Sequence, residues 1–273
     1  MFVRRIPQCL LALCLAAPLA APLAQADTVK IPDRLKNTDK LVFCGGMDSP
    51  PMGFYDSAQK PTGFTVELGQ AFAQRLGNKA IEWRVTPFSG LIPALLAGQC
   101  DMLVDQLFDK PERREVIDMV NYMYSSQAVV VGKGNPRGIR SLDDLSGRKV
   151  AVLNGSTIRT LLDAHNQVLA QAGKAPMKIV VYNTDTDAFQ ALRVGQADAY
   201  GTTLETAGYY QGMAPDLFEI GVPAFARILT GVGIRKDDPQ LSAAVQQIIR
   251  DMQADGSYQA LLAKWHIEGD KLD

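Results

Sequence analysis

Short apolar stretches alternate with longer amphipathic stretches between residues 41 and 104. The stretch Leu41-Val42-Phe43 predicts a buried strand, and the spacing of apolar positions in residues 65–76 predicts a helix that ends at Gly77. The order strand, helix, strand, helix, strand is typical of a parallel sheet with crossover helices. The predicted elements are strand 41–43, helix 65–76, strand 81–85, helix 89–97 and strand 101–104.

The same order of elements returns in the second half of the chain. A short motif, Ala94-Leu95-Leu96-Ala97-Gly98-Gln99-Cys100-Asp101, returns as Ala191-Leu192-Arg193-Val194-Gly195-Gln196-Ala197-Asp198. Each copy predicts a helix end, a glycine that ends the helix, and the start of a strand. Two similar α/β lobes would leave a cleft between them, where small molecules bind. The second set is strand 149–153, helix 158–171, strand 178–182, helix 186–194 and strand 199–200.

Two extended apolar stretches, residues 126–131 and 228–234, flank this second half. A hinged protein needs two such crossings if the chain leaves one lobe and later returns to it. Predicted helices over 240–253 and 258–265 would then complete the first lobe. We therefore expect lobe 1 to comprise residues 27–126 and 231–273, and lobe 2 to comprise residues 127–230.

The N-terminus has the features of a secretory signal peptide. Arg4 and Arg5 precede an apolar stretch over residues 9–20, and Ala24-Gln25-Ala26 forms a small-residue cleavage site. We expect residues 1–26 to be removed and the mature protein to be periplasmic.

Composition and motifs argue against several functional classes. The formal net charge is −1, without the basic stripe that nucleic-acid binding requires. No later stretch has the apolar length of a membrane-spanning helix. The two histidines, His165 and His266, are far apart in the sequence, so we expect no metal site. Neither a G-x-S-x-G elbow nor a P-loop is present.

Two of the four cysteines, Cys44 and Cys100, lie beyond the predicted signal peptide. An even pair in an oxidising compartment favours a disulfide. Two buried free thiols are the alternative, because the sequence does not give the distance between them.

Two segments could bind an anion. The loop Asn154-Gly155-Ser156-Thr157 follows a predicted strand and begins a helix, where backbone N–H groups and two hydroxyls would meet an anion. Ordinary N-capping by Thr157 is the alternative. Arg113 and Arg114 also follow a strand end, and one arginine facing the cleft could bind a carboxylate with two hydrogen bonds.

Several motifs together resemble the periplasmic solute-binding proteins of polar amino-acid ABC importers, which form bacterial extracellular solute-binding protein family 3. Their order and spacing cover nearly the whole mature chain. The segments that resemble family motifs are Pro61–Leu68, Phe88–Leu95, Pro111–Arg113, Gly155–Thr157, Gly231–Asp238 and Asp255–Trp265.

The resemblance implies a type II periplasmic-binding-protein fold, in which each α/β lobe has a mostly parallel sheet and two hinge strands join the lobes. It also implies that Arg113 binds the α-carboxylate of the ligand from lobe 1. Gly155, Ser156 and Thr157 would donate to the same carboxylate from lobe 2. Leu91, within the second motif, is also expected at the ligand.

The chain departs from the family pattern where the ligand's ammonium group would bind. Thr203 stands where the family usually has an aspartate, and Gly46 and Ser49 replace an acid and an aromatic residue of the first loop. Burying an ammonium without a counter-charge costs several kcal/mol. Either Asp105 or Glu205 therefore replaces the missing acid, or the ligand has no ammonium group. Gln106 and Phe108, beside Asp105, are also expected to contact the ligand.

The leading hypothesis is a monomeric binding protein, not an enzyme, that needs no cofactor. It would deliver a small carboxylate-bearing solute, such as a polar amino acid, to an inner-membrane ABC permease. Cys44 and Gln99-Cys100-Asp101 also resemble periplasmic accessory proteins of quinoprotein dehydrogenases. A cyclohexadienyl or arogenate dehydratase is a third hypothesis, although Ile158-Arg159 stands where such an enzyme would have a glutamate proton donor.

Overall fold

The computed structural model describes Met1 and residues 29–272. The predicted signal peptide lies outside the described residues except for Met1, so it stays a prediction.

The first half of the chain forms a parallel three-stranded sheet with helices against it. β1 pairs in parallel with both β5 and β6, as the alternation of strands and helices predicts. The elements are β1 (Lys40–Gly45), β2 (Asp48–Ser49), β3 (Gly53–Tyr55), β4 (Pro61–Thr62), α1 (Phe64–Arg75), β5 (Ala80–Val85), α2 (Leu91–Leu96), β6 (Met102–Phe108), α3 (Pro111–Arg114) and β7 (Ile117–Gly132).

The segment after β1, whose glycine, proline and aspartate content is typical of a loop, contains a small sheet. β2 and β4 each pair antiparallel with β3. The sheet supports Ser49 and Asp48 at the edge of the cleft.

The second half repeats the arrangement. β8 pairs in parallel with β9 and with β10. Helix α6, directly after β10, is an element that the apolar pattern did not predict. The elements are β8 (Lys149–Leu153), α4 (Thr157–Gln171), β9 (Lys178–Tyr182), α5 (Asp185–Arg193), β10 (Ala199–Thr203), α6 (Leu204–Met213), β11 (Phe218–Arg235), α7 (Pro239–Asp255) and α8 (Ser257–Lys264).

Two long antiparallel strands, β7 and β11, connect the halves. They pair from Ile117 with Arg235 to Gly132 with Phe218, and the sheet order is β5-β1-β6-β11-β7-β10-β8-β9. The predicted extended stretches lie inside these two strands. The register of β11 shifts at several points between Ile220 and Gly231, and such bulges allow a strand to bend. The fold is the two-lobed α/β periplasmic-binding fold that the sequence predicts.

Each half of the sheet has its own apolar core. In the first lobe, Phe43 of β1 and Phe72 of α1 share a cluster with Val245 of α7 and Leu262 of α8. The C-terminal helices therefore pack on the first lobe. In the second lobe, separate clusters lie on the two faces of the sheet formed by β8, β9 and β10. The residue at which each lobe ends, 126 or 127 and 230 or 231, stays a prediction.

The repeated motif performs the same structural task in both lobes. A carboxylate oxygen of Asp101 accepts the backbone N–H of Val42, and one of Asp198 accepts that of Lys149, at 2.8 and 2.9 Å. Gly98 and Gly195 before them both have positive φ, of 70° and 74°, which glycine adopts at little cost. Each aspartate thus attaches the start of one strand to its parallel neighbour.

Cys44 and Cys100 form a disulfide, with their Cα atoms 5.7 Å apart. The bond joins the end of β1 to the segment just before β6 within an apolar cluster that includes Leu91 and Leu103. The disulfide prediction is confirmed, and the alternative of two free thiols is wrong.

Candidate functional site

A cavity lies between the two lobes, at the carboxyl ends of β6, β8 and β10. Ligands of parallel α/β sheets bind at such strand ends. The open space along its wall is about 430 Å³, a figure that includes the solvent at its mouth. Its wall consists of Ser49, Phe88, Asp105, Gln106, Phe108, Gln127, Leu153, Ser156, Thr157, Ile158, Asp185, Gly201, Thr202, Thr203 and Thr206.

Arg113, in the short helix α3, has 7% of its surface exposed. It is not part of the cavity wall itself, but it contacts Phe108, which is. Its Nη1 donates to the carbonyl oxygen of Phe108 at 2.8 Å, and its Nη2 donates to that of Gly155, in the other lobe, at 3.5 Å. Burial lowers the pKa of Arg113 to about 10, although the carboxylates of Glu112 and Asp105 partly oppose this. A buried guanidinium whose partners are neutral carbonyls favours an anionic ligand.

The loop before α4 faces Arg113 from the second lobe. The Ser156 hydroxyl donates to the Leu153 carbonyl oxygen at 2.6 Å. The Thr157 hydroxyl is buried and has no hydrogen-bond partner among the described residues. Gly155 has a φ of 76°, and a Cβ there would lie 3.2 Å from Ser89 of the first lobe. The loop therefore needs glycine where the two lobes approach, and it offers an unused hydroxyl to a ligand.

Asp105 lines the cavity, but both of its carboxylate oxygens already accept hydrogen bonds. The backbone N–H of Gly46 donates to Oδ2 and that of Gln106 donates to Oδ1, both at 2.6 Å. Burial and, to a lesser extent, the Asp48 carboxylate raise the pKa of Asp105 to about 6. Asp105 is thus less available to an ammonium group than the sequence alone suggested.

Glu205, the other candidate acid, does not line this cavity. Its Oε2 accepts from Gln106 Nε2 at 3.0 Å and from the Ser125 hydroxyl at 2.9 Å, so Gln106 separates it from the ligand space. Glu205 instead borders a groove on the other side, together with Asp270. Burial, and then the Asp270 carboxylate, raise the pKa of Glu205 to about 8.

The other predicted ligand residues divide into two groups. Ser49, Phe108 and Thr203 line the cavity, and the Thr203 hydroxyl also accepts the backbone N–H of Thr206 at the start of α6. Leu91 does not reach the cavity, because its side chain is buried in the apolar cluster around the disulfide. Its expected contact with the ligand is not supported by its position.

Sequence reasoning missed several residues of the cavity wall, above all Asp185 and Gln127. Asp185 begins α5 directly after the capping residue Thr184, so its position indicated only an ordinary helix start. Gln127 lies in β7 with its amide nitrogen buried and without a partner among the described residues. The one indication in the sequence was that Asp185 lies between the predicted strand 178–182 and the predicted helix 186–194.

Direct contacts also join the two lobes. The Asp185 backbone N–H donates to Asp48 Oδ2 at 2.8 Å, and the Thr186 hydroxyl donates to the Asp48 carbonyl oxygen at 3.1 Å. The rings of Phe54 and Tyr209 lie 5.8 Å apart between centroids. The two lobes therefore touch each other through hydrogen bonds and through an aromatic contact.

Among the described residues, no group of histidine, cysteine and acidic side chains is arranged to hold a metal ion. In the same part of the chain, no helix has the length and hydropathy needed to cross a membrane.

A family profile and a sequence relative that match this chain are described as solute-binding proteins. The family profile described as "Bacterial extracellular solute-binding proteins, family 3" matches residues 41–268. The L-cystine-binding protein TcyJ of Escherichia coli (strain K12) is 32% identical over 217 residues, which cover 79% of this chain and 78% of that protein.

Two solved structures extend the comparison. A mutant of ArgBP from T. maritima has a TM-score of 0.79 and 28% identity, covering 86% of this chain and 98% of its own. The ancestral amino acid-binding protein AncCDT-1, described as a precursor of cyclohexadienyl dehydratase, has a TM-score of 0.76 and 32% identity. That match covers 83% of this chain and 95% of the ancestral protein.

Two lobes on shared hinge strands, with a polar cavity between them, define a solute-binding protein. The chain belongs to family 3 of the bacterial extracellular solute-binding proteins.

Proposed function

We propose that this protein captures a small carboxylate-bearing solute, a polar amino acid, in the cleft between its lobes and presents it to an ABC permease. The α-carboxylate of the amino acid would bind Arg113 from the first lobe and the Gly155-Ser156-Thr157 loop from the second. Relatives of this chain include an L-cystine-binding protein and a histidine-binding periplasmic protein, which supports the proposal.

The buried guanidinium of Arg113 is the observation that supports this function most strongly. Its neighbour Arg114 is a useful contrast, because its side chain is 49% exposed and pairs with Asp109. Among the described residues, the hydrogen-bond partners of Arg113 are carbonyl oxygens, and one of them belongs to the opposite lobe. A carboxylate between the lobes would give the guanidinium a matching charge and two parallel hydrogen bonds.

The cellular setting is part of the proposal. The predicted signal peptide would bring the protein to the periplasm. One relative is the histidine-binding periplasmic protein of Salmonella typhimurium, whose name gives the same location. There it would act as a monomer, and its partner would be a permease of the inner membrane.

We propose a binding function rather than catalysis. A dehydratase would have an acidic proton donor just after the Gly-Ser-Thr loop, and here Ile158 supplies an apolar part of the cavity wall. Arg159 Nη1 donates to Asn154 Oδ1 at 3.1 Å, so it is held beside the loop. An accessory role beside a quinoprotein dehydrogenase would need no tight small ligand.

A thermal-shift panel of the twenty amino acids, L-cystine and common organic acids tests the proposed function. A ligand at a hundred times its Kd adds roughly 2.7 kcal/mol to the free energy of unfolding. We expect an upward shift with one or a few amino acids. A shift with organic acids alone, or with no compound, would contradict the proposal, and the second result would favour an accessory role.

A further inference from the structure

The Asp185 side chain is buried in the cavity wall, and one of its two carboxylate oxygens has no hydrogen-bond partner among the described residues. The residue is 3% exposed, and this oxygen is Oδ2. Hydrogen bonding from the Tyr200 hydroxyl, and to a lesser extent from the Ser49 hydroxyl, lowers the pKa of the Asp185 carboxyl and so opposes part of the effect of burial. A buried acceptor that its own protein leaves without a donor is costly unless a ligand supplies one.

The position of Asp185 is fixed by its backbone. Its N–H donates to Asp48 Oδ2 across the lobe interface, and the Thr184 hydroxyl caps the same helix by accepting from the N–H of Asp187. The Asp185 side chain therefore starts from a rigid helix end and needs little reorganisation to bind a ligand.

The charges around Asp185 favour a cation. The carboxylates of Asp48 in β2 and Asp105 in β6 repel the negative charge of Asp185. The two nearby tyrosines, Tyr200 in β10 and Tyr210 in α6, are neutral at physiological pH. Burial first, and then Asp48, raise the pKa of Asp185 to about 7. A positively charged group between these acids would remove the repulsion.

The other acids are engaged elsewhere. Both oxygens of Asp105 accept backbone N–H groups, and Glu205 is separated from the cavity by Gln106. Thr203, at the position where the family usually has an aspartate, has its hydroxyl at the start of α6. Within the described part of the cavity wall, Asp185 is the acid with an oxygen left for a ligand.

We propose that Asp185 binds the ammonium group of the ligand and thereby selects amino acids over the corresponding acids without an amine. Asp105 would contribute charge from the opposite lobe, and Arg113 would bind the carboxylate. The inference rests on the proposed function. It assigns the binding of the ammonium group to Asp185 in α5, because Thr203 at the end of β10 has no negative charge.

The test uses two ligands and two variants. The ligands are the amino acid with the largest thermal shift and its α-hydroxy counterpart, which keeps the carboxylate but lacks the ammonium group. Asp185→Asn removes the charge at the cavity. Asp187→Asn is the matched control, since Asp187 lies in the same helical turn but is exposed.

In calorimetric titrations, we expect wild type to bind the amino acid at least ~30-fold more tightly than the hydroxy acid, because a buried charge pair is lost with the amine. In Asp185→Asn this preference should fall to about threefold or less, whereas Asp187→Asn should keep it. A preference retained in Asp185→Asn, or no preference in wild type, would overturn the assignment. The comparison of the two ligands on wild type tests the assignment even if a variant does not fold.

Proton release gives a second readout. At pH 6 the Asp185 carboxyl is largely protonated, so ammonium binding should release a proton, which titrations in buffers of different ionisation enthalpy detect. The Asp185→Asn variant should release measurably fewer protons on ligand binding than wild type. Asp105 also titrates in this range, so some proton release is expected from both proteins. Equal release by the two proteins would contradict the assignment.

Failure of this inference is distinguishable from failure of the proposed function. If Arg113→Ala abolishes amino-acid binding while Asp185→Asn retains it, only the Asp185 assignment is wrong. If no amino acid binds wild type, both are wrong.

Discussion

At the scale of single residues, the cleft region concentrates buried acids whose ionised forms are disfavoured. Asp105, Asp185 and Glu205 have raised pKa values, of about 6, 7 and 8, and burial is the largest cause for each. Asp105 and Asp185 face the ligand space. Glu205 faces the groove that contains Asp270, so its protonation affects the stability of the protein rather than ligand contact.

Glu205→Gln should stabilise the protein at pH 8 and have little effect near pH 5. The folded-state pKa of Glu205 is about 8, against an ordinary value of 4.5. The unfolded carboxyl therefore ionises first, and wild type loses stability as the pH rises between these values. Glutamine keeps an oxygen for Gln106 and Ser125 and resembles the protonated acid.

Denaturant unfolding of both proteins between pH 5 and pH 8 measures this effect. We expect the difference in unfolding free energy to grow with pH, to roughly 3 kcal/mol. A difference that does not change with pH would contradict the role assigned to Glu205.

At the scale of elements, the disulfide joins β1 to the start of β6 next to the cleft. It closes a loop with a sequence separation of 56 residues. In the chain-entropy model, a disulfide that closes a loop of this length adds roughly 4 kcal/mol to the free energy of unfolding of the protein.

The double variant Cys44→Ala with Cys100→Ala should therefore lose roughly 4 kcal/mol of unfolding free energy in denaturant titrations. Wild type without the predicted signal peptide should show no free thiol in denaturant without reductant, since residues 27–273 contain no other cysteine. A double variant within about 1 kcal/mol of wild type would contradict this contribution.

The sequence predicts locally determined elements well. Strand β9 has the predicted bounds, because its apolar run is short and lies between polar turns. The full lengths of β7 and β11 were not predictable, since they depend on pairing between distant segments. Helix α6 was missed because glycines and tyrosines interrupt its apolar pattern.

The site was predicted unevenly. Arg113 was named because of its motif, and the structure places it beside the cleft. Asp185 was missed because an aspartate in the first helical turn is common, and only its burial and its unused oxygen distinguish it from a stabilising surface residue.

At the scale of the whole molecule, the two lobes contact each other and share two strands that can bend. The contacts of Asp48 with α5 and of Arg113 with Gly155 join the lobes directly. These contacts are hydrogen bonds, and the Phe54–Tyr209 ring contact is an apolar addition to them. A ligand that bridges the lobes would favour the closed arrangement by the contacts that it makes only there.

Small-angle X-ray scattering with and without the amino acid identified by the panel tests this closure. We expect a smaller radius of gyration at saturation, and no such change for Arg113→Ala at the same ligand concentration. An identical profile for wild type with and without ligand would argue against ligand-driven closure.

Calorimetric titration of that amino acid into wild type, Arg113→Ala, Arg113→Lys and Arg114→Ala tests the central claim most directly. The account predicts a loss of roughly 2–5 kcal/mol of binding free energy in Arg113→Ala, because the carboxylate would stay buried and half-paired. Lysine should restore little, since a point charge does not reproduce two parallel hydrogen bonds. Arg114→Ala should bind like wild type. Binding by Arg113→Ala within about threefold of wild type, less than 1 kcal/mol, would contradict the account.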